Sequence, residues 1–291
     1  MNERELMTAC FEEERGRLRA VAYRMLGSLS EADDAVQETW LRASRAGTGE
    51  VANLAAWLTT VVGRVCLNVL RSRRRRDDEP LGAGIPDPVI SPESGVDPEH
   101  EALLADSVGL ALLVVLETLS PAERLAFVLH DMFAVPFEEI APLLDRSPAA
   151  ARQLASRARR RVRGQAPVPD PDPARQRDVV NAFFAAARDG DFDALVSVLD
   201  PEVVLRSDGG VARARHTVVF QGAGTVAEQA VTFGRLSPFA RPALVNGTAG
   251  VVVVAKDRPL SIMAFTVTDG RIAAIDVIAD PERLARLIPG V

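Results

Sequence analysis

The stretch Phe137–Arg163, FEEIAPLLDRSPAAARQLASRARRRVR, decides the architecture of this 291-residue chain. It reads as a short helix over 137–144, a turn at Asp145–Ser147, and a longer helix over 148–163 that opens on Pro148. Ala151, Leu154, Ala155, Ala158 and Val162 recur at helical spacing and make one apolar stripe. Arg152, Ser156, Arg159, Arg160 and Arg163 lie on a different face, flanked by Gln153 and Arg157, and no acid occurs from Arg146 to Gly164. Arginine and glutamine near the start of such a helix can read guanine and adenine edges in a major groove, which gives the pattern of a helix-turn-helix. An ordinary helical hairpin has the same periodicity, and spacing alone does not separate the two.

Upstream, a helix is expected near 103–119. Ser120-Pro121-Ala122-Glu123 then gives a strong helix start, with proline at the first position and a Ser/Glu capping box. Nearer the N-terminus, Leu18, Val21, Ala22, Met25 and Leu26 keep helical spacing, and Ser30 with Asp33 suggests a helix running to about Arg45. A third helix is expected over 55–75, ending in a second basic block, Arg71 and Arg73–Arg76. Arginine forks fit phosphate oxygens, and counterion release gives such contacts a salt-dependent affinity. One arginine run would read as a solvated helix face. Two runs, each ending a helical segment, point to nucleic acid despite a net charge of −6 from 34 Lys+Arg and 40 Asp+Glu. The helix over 30–45 is the acidic counterpart: Asp34, Glu38 and Leu41 share a stripe with Gln37 beside it and Trp40 at its border, a face suited to a basic partner, while Asp33 is explained by the helix dipole alone.

Proline and glycine divide the chain. The segments expected are 1–76 (helical), 77–98 (linker), 99–164 (helical), 165–173 (a proline-rich, extended linker) and 174–291. The last segment changes character. Helices near 174–188 and 192–199 precede β-rich runs at 203–206, 216–220, 243–245, 251–255, 262–268 and 272–278, with a helix near 226–235 and another after Pro281. Asp269-Gly270 is a hairpin turn signal, and the whole reads as an α+β domain with a curved antiparallel sheet. A hydrophobic content of 47% excludes general disorder. No apolar run is expected to reach the roughly 20 residues that span a bilayer, and the acidic first residues do not resemble a signal segment. Cys10 and Cys66 fall in helical patterns and are expected to be reduced packing residues in a cytoplasmic protein. His100, His130 and His216 fall in separate segments, so neither a metal nor any other cofactor is implied.

These motifs resemble a known family. Residues 33–42, DDAVQETWLR, and 56–73, AWLTTVVGRVCLNVLRSR, are similar to conserved region 2 of extracytoplasmic-function (ECF) sigma factors of bacterial RNA polymerase. Residues 119–130, LSPAERLAFVLH, with Glu139-Ile140-Ala141 and Ala151–Arg159, are similar to region 4. The segment 174–291 resembles the SnoaL-like (nuclear-transport-factor-2-like) cone-shaped domain carried by the SigJ-type subgroup. Three subgroup motifs are present in altered form: Gly82–Val89, where Gly84 stands in place of a tryptophan; Asp208-Gly209-Gly210, followed by Val211 and Ala212 in place of glycine and lysine; and Asp280-Pro281-Glu282-Arg283-Leu284.

The resemblance implies a multidomain protein that is not an enzyme, with two all-α domains followed by the α+β domain. Asp33, Asp34, Gln37, Glu38 and Leu41 would dock core RNA polymerase. Arg64, Asn68, Arg71, Arg73, Arg74, Arg75 and Arg76 would meet the −10 promoter element. Arg152, Gln153, Ser156, Arg157 and Arg160 would read the −35 element. Tyrosine and phenylalanine are absent from 39–78, which suggests weak melting of the duplex and a stringent promoter. Pro86, Asp87 and Pro88 of the linker would meet Asp208, Gly209, Gly210, Asp280, Pro281, Arg283 and Leu284, making the third domain a regulator in cis, with no separate anti-sigma protein required and room for an unknown small ligand. The competing reading is a ligand-responsive helix-turn-helix regulator acting without polymerase. In the SnoaL-like fold Asp208, His216 and Asp276 would be the available bases for an enzyme, but no paired arrangement is legible. Asp208-Gly209-Gly210 as a plain β-turn is the simpler chemistry.

Overall fold

The computed structural model describes residues 3–46, 53–76, 84–93, 109–208 and 217–288. Gly209, Gly210, His100, His216 and the start of the helix expected at 103 lie outside the described residues. Packing divides the chain into two units, one made of 1–81, 98–105 and 115–165, the other of 82–97, 106–114 and 166–291.

The first unit is helical. α1 (Glu3–Leu26) ends where Gly27 takes φ +71°, and α2 (Leu29–Ala43) follows at once. The N-cap of α2 is therefore Ser28 rather than the expected Ser30, with no capping hydrogen bond from its side chain; Ser30 sits inside the first turn. Val36 and Ala32 of α2 are buried with Leu18, Val21, Ala22 and Met25 of α1, and Trp40 packs on Phe11 with ring centroids 5.0 Å apart. α3 (Leu54–Arg76) is, over residues 54–75, long and apolar enough by composition to cross a bilayer, contrary to the expectation from sequence. Its apolar length buries Leu58, Val62, Cys66 and Leu67 inside this unit instead.

Past α4 (Leu110–Glu117), the capping box at Ser120 and Glu123 opens α5 (Pro121–Phe127). The Ser120 Oγ accepts the Glu123 N–H at 3.3 Å and Glu123 Oε2 accepts the Ser120 N–H at 3.2 Å. A π turn at Val128–Met132, which sequence periodicity does not foresee, continues α5. α6 (Phe137–Leu144) and α7 (Pro148–Gln165) are joined through Asp145 at φ +54°, and Ala151, Ala155 and Ala158 are the buried stripe of α7. α3 packs on α5 and the π turn: a β-carbon on Gly63 would stand 3.1 Å from Leu129 and 3.4 Å from Leu125. The helices read as regions 2 and 4 thus share one core.

The second unit is a seven-stranded sheet packed against helices. α8 (Pro173–Asp189) and α9 (Phe192–Val198) lead into β2 (Leu199–Ser207) and β3 (Val218–Gln221); α10 (Ala223–Phe233) and a 3₁₀ turn precede β4 (Ala240–Val245), β5 (Thr248–Ala255), β6 (Arg258–Thr268) and β7 (Arg271–Ile278), and α11 (Pro281–Leu287) closes it. With β1 (Ile90–Ser91) at one edge, the strand order is β1-β4-β5-β6-β7-β2-β3. The expectation of an antiparallel sheet holds for the other pairs and is corrected at one, because β2 and β7 pair in parallel. Strand alternation leaves no mark of whether a distant partner runs with or against it. β1 (Ile90–Ser91) comes from the first linker and pairs antiparallel with Val245 and Leu244 of β4. The β6–β7 turn at Asp269 and Gly270 has φ +52° and +74°, as the hairpin signal implies. Phe183, Phe184 and Phe265 pack edge to face under the helices, with Leu195, Leu199, Val226 and Ile275 filling the same core. The proline-rich segment is extended and lies along that hairpin, where the Asp170 carboxylate accepts the N–H groups of Asp269 and Gly270, both at 2.9 Å.

Candidate nucleic-acid interface

On α7 the expected reading residues Arg152, Gln153, Ser156, Arg157 and Arg160 are all exposed, on the side opposite the buried alanines. The guanidinium of Arg152 sits 5.2 Å over the Phe137 ring, a cation–π contact that fixes its direction at the turn. Arg157 Nε donates to Glu123 Oε1 at 3.0 Å and Arg159 Nε to Asp131 Oδ1 at 2.7 Å. Burial alone would raise the Glu123 carboxyl, but its hydrogen bonds with Ser120 and Arg157 bring it below the ordinary value.

On α3, Arg64 and Asn68 are exposed and Arg71 is half-buried, one helical face apart by four and three residues. The following basic block splits. Arg74 and Arg75 are exposed, whereas Arg73 donates to the Leu26 carbonyl at 3.3 Å and forms an ion pair with Glu31, so it ties α3 to the α1–α2 corner. The side chain of Arg76 lies outside the described residues. On α2, Asp34, Gln37 and Leu41 are exposed and Glu38 is half-buried and bonded to Arg42 at 2.8 Å. Leu41 keeps 40% of its surface in water on the same stripe as Asp34 and Glu38. Asp33 is bidentate with Arg19, at 2.6 and 3.1 Å, and so joins α1 to α2; sequence reasoning attributed it to the dipole because its partner is on another helix.

Residues 10–76 match the family model Sigma-70 region 2, and residues 109–162 match Sigma-70, region 4. The chain is 41% identical to the ECF RNA polymerase sigma factor SigJ of Mycobacterium tuberculosis, over 94% of this chain and 91% of that one. The chain belongs to the ECF sigma factors. It is also 33% identical to the probable ECF RNA polymerase sigma factor SigI of M. tuberculosis, covering 98% and 97% of the two chains. The crystal structure of M. tuberculosis SigJ superposes with a TM-score of 0.75 at 37% identity, over 95% of this chain and 97% of that one. The fold is thus that of the SigJ crystal structure, helical sigma regions followed by a C-terminal α+β domain, and the function is promoter-specific initiation by bacterial RNA polymerase.

In this sigma factor the first linker is held inside the second unit. Pro86 and Pro88 are buried and Asp87 half-buried. Arg283 Nη2 donates to Asp87 Oδ1 and to the Ile85 carbonyl, both at 2.7 Å, while Nη1 reaches Asp208 Oδ2 at 3.4 Å. Asp208 also accepts the Ala279 N–H at 2.8 Å, and Asp280 caps α11 through the Arg283 N–H at 2.9 Å, with Pro281 at the first helical position and Leu284 buried. Asp208 is therefore an organiser of Arg283, more than the plain turn residue that chemistry alone suggested. Sequence reasoning missed Asn246, whose Oδ1 accepts the Val89 N–H at 2.7 Å while its own N–H donates to the Val89 carbonyl at 2.8 Å. Asn246-Gly247, at φ +50° and +76°, carries a hairpin signal that could have marked the position. Asp276 is fully buried beside Arg206, at 2.9 Å, on the face opposite Ile275 and the core under the helices.

Proposed function

We propose that this sigma factor docks core RNA polymerase through Asp34, Gln37, Glu38 and Leu41, meets the −10 element with Arg64, Asn68, Arg71, Arg74 and Arg75, reads the −35 element with Arg152, Gln153, Ser156, Arg157 and Arg160, and is regulated in cis by its C-terminal domain. The acting compartment on this reading is the cytoplasm, and no separate anti-sigma protein is needed. The observation that carries the regulatory part is the linker clamp: Arg283 joins Asp87 and the Ile85 carbonyl to Asp208, and β1 adds to the sheet beside Asn246. A regulator that holds the connection between two DNA-binding modules sets how they share one promoter, since tethered modules gain affinity only when their spacing permits both to engage. A catalytic role for this domain has little support, because Asp276 is spent on Arg206 away from the helix-covered core.

Three altered chains test the reading. Asp34→Arg with Glu38→Arg is expected to abolish co-purification with core polymerase while leaving the chain folded. Arg283→Ala is expected to change promoter-directed transcription by the full chain, as is truncation after Gly164. Transcription unchanged by Arg283→Ala and by the truncation would end the regulatory reading without touching the docking face.

A further inference from the structure

Two acids stand against the helix that reads DNA. Glu123, with 14% of its side chain exposed, contacts Arg157, which is 50% exposed; Asp131, 19% exposed, contacts Arg159, 37% exposed. By charge alone, carboxylates beside a phosphate-binding face weaken binding. By stability alone, ion pairs with one solvent-exposed partner contribute little. Neither accounts for two such pairs on one helix.

The geometry offers a reason. Both contacts use the arginine Nε, at 3.0 Å for Arg157 and 2.7 Å for Arg159. A guanidinium held by Nε keeps its two terminal nitrogens as a donor pair, the part of the fork that suits a guanine edge or a phosphate. Neither arginine makes another hydrogen bond among the described residues. Both acids are themselves anchored. Glu123 divides its carboxylate, with Oε2 receiving the Ser120 N–H at 3.2 Å and the Ser120 hydroxyl at 2.7 Å, and Oε1 left to Arg157. Asp131 rides on the π turn, whose end is fixed by Ala134 at φ +56°. Free arginine side chains carry large rotamer entropy, and anchoring them before DNA arrives removes part of the cost of fixing them.

We propose that Glu123 and Asp131 are positioning residues for promoter recognition, holding Arg157 and Arg159 by Nε so that their terminal nitrogens face the duplex. The proposal rests on α7 being the DNA-reading helix. Its test uses the full chain and a duplex selected by that chain from a library randomised at the −35 region, compared with a scrambled duplex of equal length. Glu123→Gln keeps the capping box, since glutamine serves that position, and Asp131→Asn keeps the shape. Each is expected to lower the ratio of selected to scrambled affinity about 5-fold, while affinity for scrambled DNA holds or rises because a negative charge has gone. In an Arg157→Ala background, Glu123→Gln is expected to leave the ratio unchanged. Equal tightening on both duplexes would overturn the proposal, since the acids would then only repel. A ratio equally reduced by Glu123→Gln with and without Arg157 would overturn it as well, by making the effect one of folding. If Arg152→Ala and Arg157→Ala both leave the ratio intact, α7 does not read the duplex, and the underlying reading fails along with the proposal.

Discussion

At the scale of single residues, the most informative group is a buried charge with one partner. Asp276 keeps 1% of its side-chain surface and Arg206 16%, with 2.9 Å between them. Burial raises the Asp276 carboxyl above its ordinary value, and the charge and hydrogen bond of Arg206 pull it back only in part. An acid whose folded value is raised binds its proton more tightly in the folded state. Its contribution to stability is therefore greatest below the unfolded value near 3.8 and declines as pH rises through the folded one. Arg206→Ala leaves the carboxylate uncompensated and is expected to destabilise the C-terminal unit by about 3 kcal/mol at neutral pH. The loss should shrink as pH falls from 8 to 5, because the orphaned carboxyl can then take up a proton. Urea unfolding across that range checks it, and a pH-independent loss would show that packing, and not charge, is what Arg206 supplies.

Among the elements, those that rest on local chemistry were legible and those that rest on distant pairing were not. The α6–turn–α7 motif, the Ser120 capping box and the Asp269-Gly270 hairpin each announce themselves within a few residues. β1 does not: Ile90-Ser91 has no periodicity of its own and becomes a strand only because the β4 edge and Asn246 satisfy its backbone. The same holds for the parallel β2–β7 pair and for Arg73, a basic-block residue whose partners are Leu26 and Glu31 on other helices. The linker strand permits a test that separates its two anchors. Asn246→Gly keeps the positive φ of the turn but deletes the side-chain acceptor of the Val89 N–H. Hydrogen exchange at Val89 should accelerate about 10-fold, corresponding to one lost hydrogen bond of roughly 1.5 kcal/mol, while amides of β5 and β6 keep their protection. Unchanged exchange at Val89 would mean that Arg283, through Ile85 and Asp87, holds the linker by itself.

At the scale of the whole molecule, region 2 and residues 115–162 of region 4 lie in one helical unit, and their proposed DNA-contacting residues are exposed within it, apart from half-buried Arg71. Packing of α3 on α5 thus restricts how far the two faces can separate without covering either. The seam has a gap-free centre at Gly63, against Leu125 and Leu129, and a charged flank where buried Arg124 donates to the Arg24 carbonyl at 3.1 Å and pairs with Glu117 at 2.8 Å. Cys66 reports on this seam. Burial pushes its thiol up to about 12, with Arg124 opposing the rise, so in the closed unit it is neither ionised nor reachable at pH 8. Gly63→Leu overfills the contact with Leu125 and Leu129, an insertion that costs typically 1–3 kcal/mol in a packed core, and separation of α3 from α5 relieves it. The variant should therefore label at Cys66 with a thiol reagent at least 5-fold faster than the wild type, with Cys10→Ser in both to leave one thiol. Far-ultraviolet circular dichroism should show the same helix content in each, since the helices persist when the seam parts. Promoter-directed transcription at limiting sigma factor should rise with the labelling rate if closure restrains the spacing of the two modules. Faster labelling with no gain in transcription would place the controlling restraint in the linker clamp, whose Arg283→Ala variant is then the one to move activity.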